Sequence, residues 1–194
     1  MLSRRVKAKT RFEIFKSMIL KWCMARILFG IMGDALGHVN RARTLVRCLP
    51  RHEFLFVGGG RALELRGSGR RVLEVPVPGT FYSCNRVDLR GTLLNGFRVL
   101  RGYPRTLRTL LPAVKAFDPA LVLSDYELFS QGVAGALGLP CVGVSPQHAV
   151  TRCRPPCPER RTSLSRLLLV LSLHFLYSRA DRYLIPSFGP LIPM

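Results

Sequence analysis

The strongest constraint on this chain is an alternation that begins at Met24. Short apolar runs rich in β-branched residues are followed, again and again, by stretches whose apolar residues recur at helical spacing. The runs are Arg26–Ile31, Phe54–Val57, Val72–Val75, Ala120–Ser124, Cys141–Val144 and Tyr183–Ile185. They are apolar without the in-out alternation of a half-exposed strand, which suits strands buried on both faces. Between the first two, Val39, Ala42, Leu45, Val46 and Leu49 mark one helical face, with Arg41, Arg43 and Arg47 outside it and Pro50 as the stop. A second stripe runs from Phe97 to Val114, and Pro104 is expected to split or kink it. Leu128 to Leu137 reads as a helix closed by Gly138. Ser145–Ser163 reads as a Pro- and Arg-rich loop, and Leu164–Tyr177 as an apolar helix. Strand–helix alternation of this kind predicts a Rossmann-like α/β fold, an open parallel sheet with helices on both faces.

Composition allows such a core: 48% of the 194 residues are hydrophobic and 21% are charged, which excludes wholesale disorder. The formal charge is +19, and 25 of the 30 basic residues are Arg. Six scattered Cys do not make a disulfide scaffold, and no uninterrupted apolar run approaches the ~18 residues of a membrane span. Met1–Cys23 stands apart, with seven basic residues, one acid, and Phe12, Phe15, Met18, Ile19 and Trp22 at helical spacing. It reads as an extension outside the fold, or as a basic amphipathic helix on an anionic membrane. The remaining positive charge is dispersed, and no helix-turn-helix, zinc-finger or RNP signature accompanies it. That argues against a nucleic-acid partner. Its densest cluster, Arg152 to Arg166, suits an anionic lipid or polyanionic acceptor as well as nucleic acid, and the apolar Leu167–Tyr177 reads as a core helix covering the sheet or as a helix that dips into a membrane.

Ligands of open parallel sheets meet the loops at the strand carboxyl ends. The first such loop, Gly33-Asp34-Ala35-Leu36-Gly37-His38, has glycines for tight turning and a His at a helix start. The fourth run ends in Ser124-Asp125-Tyr126-Glu127, where Asp125 could instead cap the following helix. The fifth leads into Ser145-Pro146-Gln147-His148. Gly58-Gly59-Gly60 reads as a phosphate cradle or as a permissive turn. Cys153 and Cys157 lack a second ligand pair, so no metal site is expected.

At these residues the chain resembles a known family. Arg26–Ala42, Phe117–Asp125 and Ala134–Val144 are similar to the opening strand with its Gly-rich turn and Gly-His helix start, the "kPDlvisD" strand and the "A..lgiP.v.i" segment of GT-B glycosyltransferases. The likeness is to their N-terminal, acceptor-binding half, in the group of UDP-glucuronosyltransferases, macrolide glycosyltransferases and the peptidoglycan N-acetylglucosaminyltransferase. It spans Met24–Phe188. The resemblance implies His38 as general base on an acceptor hydroxyl and Asp125 as its charge support, with Gly33, Asp34, Gly37, Gln147 and His148 in acceptor or phosphate loops. It implies a nucleotide-sugar such as a UDP-sugar as co-substrate, no tightly bound cofactor, a lipid or small-molecule acceptor, and a cytoplasmic location with peripheral contact at the inner membrane face.

The resemblance also implies a second α/β domain carrying the donor site. Residues 189–194 fall where the interdomain linker would begin, so a donor half is expected on further chain or on a partner polypeptide, and activity of this chain alone is not expected. Three readings stay open: a transferase half, a basic membrane or nucleic-acid binding module, and a non-catalytic fragment. The same half-fold also serves sugar-nucleotide 2-epimerases. His38 and Asp125 are both expected at loop-to-helix junctions outside the core.

Overall fold

In strand β1 (Arg26–Ile31) every residue after the first is buried, and the same holds for β2 (Glu53–Gly58). Runs without alternation are covered from both sides, as their sequence requires. The structure, a computed structural model, describes residues 24–79, 81–83, 86–154, 164–187 and 192–193. The expected N-terminal extension, Cys157 and most of the Arg152–Arg166 cluster lie outside the described residues.

After β1 come α1 (Leu36–Cys48), β2, a 3-10 segment (Gly60–Ser68) and β3 (Val72–Glu74). The long helix α2 (Leu89–Phe117) leads to β4 (Leu121–Asp125), α3 (Leu128–Leu137) and β5 (Cys141–Val144). The chain closes through a 3-10 turn (Pro146–His148), α4 (Ala149–Arg152), α5 (Leu164–Phe175) and β6 (Arg182–Leu184). The six strands form one parallel sheet in the order β3-β2-β1-β4-β5-β6. One face carries Phe29, Ile31, Phe56 and Leu123 packed against Val39, Ala42 and Val46 of α1. On the other, Leu28, Leu55 and Val122 pack with Val99, Leu110 and Val114 of α2 and with Phe129 and Val133 of α3. Helices on both faces of a parallel sheet are thus observed.

One expectation is narrowed and another is corrected. Pro104 does not split its helix: α2 runs as one element through both Pro104 and Pro112. Each proline removes one backbone donor. Pro104 lies on the exposed side, while the buried face of Val99, Leu110, Val114 and Phe117 fixes the axis against the sheet. The stretch from Ser145 is also not simply loop, because its first turn is helical through Arg152, and Cys153–Arg154 pairs antiparallel with Ile192–Pro193.

The Gly-rich turns after β1 and β2 are pressed together. A Cβ on Gly33 would sit 1.6 Å from the Gly59 carbonyl oxygen, and Gly33 O accepts from Arg61 N at 3.0 Å. Gly60 has φ +52, in the left-handed region. Gly58-Gly59-Gly60 therefore serves as a packed turn, holding the β1 loop in place from beneath. Gly37, inside the first turn of α1, meets nothing within 4 Å. Gly33→Ala is expected to lower stability by at least ~1–3 kcal/mol, the scale of overpacking a tight site. Gly37→Ala should be neutral or gain up to ~1 kcal/mol from helix propensity. Chemical denaturation of the two variants checks both, and equal midpoints would contradict the packing described.

Candidate active site

Strand order reverses beside β1: β2 and β3 lie on one side, β4, β5 and β6 on the other. At such a reversal the loops leaving adjacent strands diverge and open a crevice. Ile31 at the end of β1 is in register with Asp125 at the end of β4, and Met32 N donates to Asp125 O at 3.0 Å. The two loops with candidate residues therefore start level and side by side.

His38 is the third residue of α1, inside the helix rather than ahead of it, and is buried. The position before the helix is Ala35, which is extended and offers no side-chain cap. Asp125 is fully buried, with no exposed side-chain surface. Its Oδ1 lies 2.9 Å from His38 Nδ1. Oδ1 receives no well-aligned hydrogen bond, so the contact is one of charge and proximity. The other oxygen, Oδ2, accepts a short charge-assisted bond from Arg41 Nη1. Arg41 Nη1 also stands 3.4 Å from His38 Nδ1. His38 and Arg41, one helical turn apart, thus share one buried carboxylate. The sequence reading placed Arg41 on the solvated face of α1, and its spacing of three from His38 was the available signal.

The capping duty that competed for Asp125 falls to Glu127. Its Oε1 accepts from Phe129 N at 2.8 Å and its Oε2 from Ser130 N at 2.6 Å, at the start of α3. Asp125 ends β4 in the core rather than at an exposed junction, which corrects that expectation. Between them Tyr126 has φ +54, a conformation that disfavours a side chain. This turn sends Asp125 toward α1 and Glu127 under α3, and it swings the Tyr126 ring over the crevice. The ring stacks on Tyr177 at 4.0 Å between centroids and lies 6.5 Å from the His38 ring. Tyr177 is fixed by Gln131, whose Nε2 donates to Tyr177 O at 3.4 Å and whose Oε1 accepts from Arg179 N at 3.2 Å.

A cleft of about 630 Å³ opens here. His38, Asp34 and Gln147 line it, with Leu93 from α2, Leu169, Leu171 and Phe175 from α5, and the Tyr126 and Tyr177 rings. Asp34, Gln147 and His38 are therefore brought together. Gly33 does not line the cleft and packs against Gly59 and Gly60, and Gly37 is exposed. His148 turns away: it is buried edge-on against Tyr183 at 4.5 Å and does not line the cleft. Among the described residues, no group of three His, Cys, Asp or Glu could hold a metal ion. No helix among them is long and apolar enough to cross a membrane.

The model of glycosyl transferase family 1 matches residues 25–191. No curated protein matches the sequence. Similar solved structures include the spinosyn rhamnosyltransferase SpnG complexed with thymidine diphosphate, at 20% identity and TM-score 0.45, covering 63% of this chain and 34% of that one. MurG of Acinetobacter baumannii is 11% identical with TM-score 0.47, covering 87% of this chain and 43% of its own. SnogD from Streptomyces nogalater is 20% identical with TM-score 0.47, covering 87% and 45%. The chain spans less than half the length of each.

Two buried groups near the site titrate in opposite senses. Burial raises the Glu127 carboxyl to about 6, against the lowering effect of its backbone donors. Burial, then the Arg152 charge, lowers His148 to about 4. Glu127 binds its proton more tightly when folded, so its stabilising contribution is full below its ordinary value of 4.5 and declines as pH rises through about 6. His148 binds its proton less tightly when folded, so its contribution is full above its ordinary value of 6.5 and is lost as pH falls toward 4. The two slopes oppose each other between these limits. In urea melts across that window, Glu127→Gln should leave stability rising more steeply with pH than in the parent, and His148→Phe should tilt it the other way. Identical pH slopes in parent and variants would refute the assignment.

Proposed function

Because the chain belongs to glycosyl transferase family 1, we propose that it is the acceptor-binding half of an enzyme that transfers a sugar from a nucleotide-sugar to an acceptor hydroxyl. The observation that carries this reading is His38 Nδ1 at 2.9 Å from a fully buried Asp125 carboxylate, on the wall of an open cleft. With Nδ1 committed to the carboxylate, the other ring nitrogen is the one available to an acceptor. An acceptor hydroxyl hydrogen-bonded to Nε2 gives up its proton there as its oxygen attacks the anomeric carbon. The bond from that carbon to the nucleotide diphosphate breaks, and its electron pair leaves with the phosphate. Asp125 then faces an imidazolium, whose charge it balances, while Arg41 holds the second oxygen and keeps the carboxylate turned toward the ring. Asp34 and Gln147 on the cleft wall are suited to bind further acceptor hydroxyls.

The cleft walls are largely Leu, Phe and Tyr, which favours an apolar small molecule or a lipid as acceptor. The donor, a UDP-sugar or another nucleotide-sugar, would be held chiefly by a second domain, on further chain or on a partner.

Alone, the 194-residue chain is expected to transfer no sugar from UDP- or dTDP-sugars, since it positions a hydroxyl without holding the donor. Fused to a C-terminal donor domain of the same family, it should become active. His38→Ala should then lower kcat by roughly 10²–10⁴-fold. Asp125→Asn should lower it less, but it also leaves Arg41 facing an uncharged buried group, so circular dichroism must fix the folded fraction first. A fusion that turns over normally with Ala at position 38 would overturn the reading.

A further inference from the structure

A second cavity lies on the face of the sheet that α1 covers. Its volume is about 210 Å³, and it shares no lining residue with the cleft. α1 supplies Arg43, Val46 and Arg47, β2 supplies Phe56, and the 3-10 segment supplies Leu65 and Ser68. Gly69, left-handed at φ +72, closes that segment and turns the chain so that Arg70 completes the rim. Val46, Phe56 and Leu65 belong to the buried core, so the floor is apolar.

The rim is basic beyond what its neighbours neutralise. Glu64 lies 3.0 Å from Arg61 Nε and 3.9 Å from Arg43 Nη2, and Glu74 lies 3.3 Å from Arg66 Nη2. Neither Arg47 nor Arg70 has an ion pair among the described residues. Two elements far apart in their roles, a helix that carries His38 and a turn that follows β2, thus bring arginines to one opening over an apolar floor.

We propose that this cavity binds a small organic phosphate, a phosphomonoester carrying a single ring or a short apolar chain. The site lies outside the transferase reading and does not depend on it. Guanidinium groups match phosphate oxygens bidentately. A phosphomonoester approaches two negative charges near neutral pH, which suits a rim of three arginines and a hydroxyl better than a carboxylate does. Size limits the rest of the molecule. The volume holds about seven waters at ~30 Å³ each and falls below the ~300–1,000 Å³ of drug-sized sites. A nucleic-acid backbone would meet the arginines and leave the floor uncovered.

Titration of the whole chain with phenyl phosphate, followed by backbone-amide NMR and calorimetry, tests this. The Ser68, Gly69 and Arg70 signals should shift and saturate. Affinity should exceed that for inorganic phosphate by about tenfold or more, because the ring covers apolar surface. Arg47→Gln with Arg70→Gln, both exposed, should keep the far-ultraviolet dichroism of the parent and weaken binding by roughly tenfold or more. Arg98→Gln with Arg101→Gln removes the same charge from α2, and at physiological salt it should change affinity by less than about twofold.

Equal losses in the two variant pairs would overturn the proposal, since diffuse attraction to a basic chain would then explain binding. Equal affinity for inorganic phosphate would also overturn it, because the floor would contribute nothing. Shifts that saturate at Asp34 and Gln147 instead would put the ligand in the cleft. Binding of duplex DNA through Arg47 and Arg70, without binding of phenyl phosphate, would assign the rim to a polyanion. None of these readouts involves sugar transfer, so the cavity and the transferase reading fail separately.

Discussion

The site depends on the register between β1 and β4. Ile31 pairs with Asp125 because Ile27 pairs with Leu121 and the ladder runs parallel from there. A slip of two residues would move Asp125 by about 6–7 Å along the strand and break its contact with α1. What holds the register is burial on both faces: Leu28 and Val122 look to one helical layer, Phe29 and Leu123 to the other. A slip of one residue would exchange those faces entirely. The carboxylate is therefore positioned by apolar packing several residues away, and only finely by Arg41. Loosening the packing of α2 and α3 on the face opposite α1 would disturb the His38–Asp125 distance without touching either residue.

Much of the sheet was legible because buried parallel strands leave an unambiguous mark. The runs at 26–31, 121–125 and 141–144 are apolar at nearly every position, and no amphipathic helix gives that pattern. Details governed by local competition were less legible. The segment Ser124-Asp125-Tyr126-Glu127 offers two acids for one helix start, and propensity favours Asp as the cap. The strand continues one residue further than its apolar run, which leaves Asp125 in the core and hands the cap to Glu127. Pro104 illustrates tertiary packing overriding a local breaker. Arg41 was missed for a different reason: an arginine outside an apolar stripe usually faces water, and its spacing from His38 marks a shared face without telling that a carboxylate 84 residues later meets both.

The glycine-bearing loops separate two functions that a motif reading merges. Gly33 is required by the Gly59 carbonyl that presses on it, so its role is to let two loops share one level at the sheet edge. The backbone then delivers Asp34 and the start of α1 to the cleft. Chemistry and close packing use neighbouring residues of one loop. This explains why the short Gly-Asp-Ala-Leu-Gly-His segment looks informative while each of its glycines does something different. His148 shows the converse, a residue of suggestive type in a suggestive loop that is spent on packing against Tyr183.

The left-handed backbone at Tyr126 sets adaptability against stability. Glycine is the residue that this φ favours, and a left-handed non-glycine conformation costs on the order of 1–3 kcal/mol. Glycine at this position would relieve that strain and also erase the ring that stacks on Tyr177 beside His38, so the turn's cost is set against the packing it makes possible. A lineage that keeps the aromatic residue is trading part of its folding margin for a wall to the cleft. A lineage that drifts to glycine would relieve the backbone at this turn, lose the ring's packing on Tyr177 and Ser172, and leave a wider, less discriminating opening.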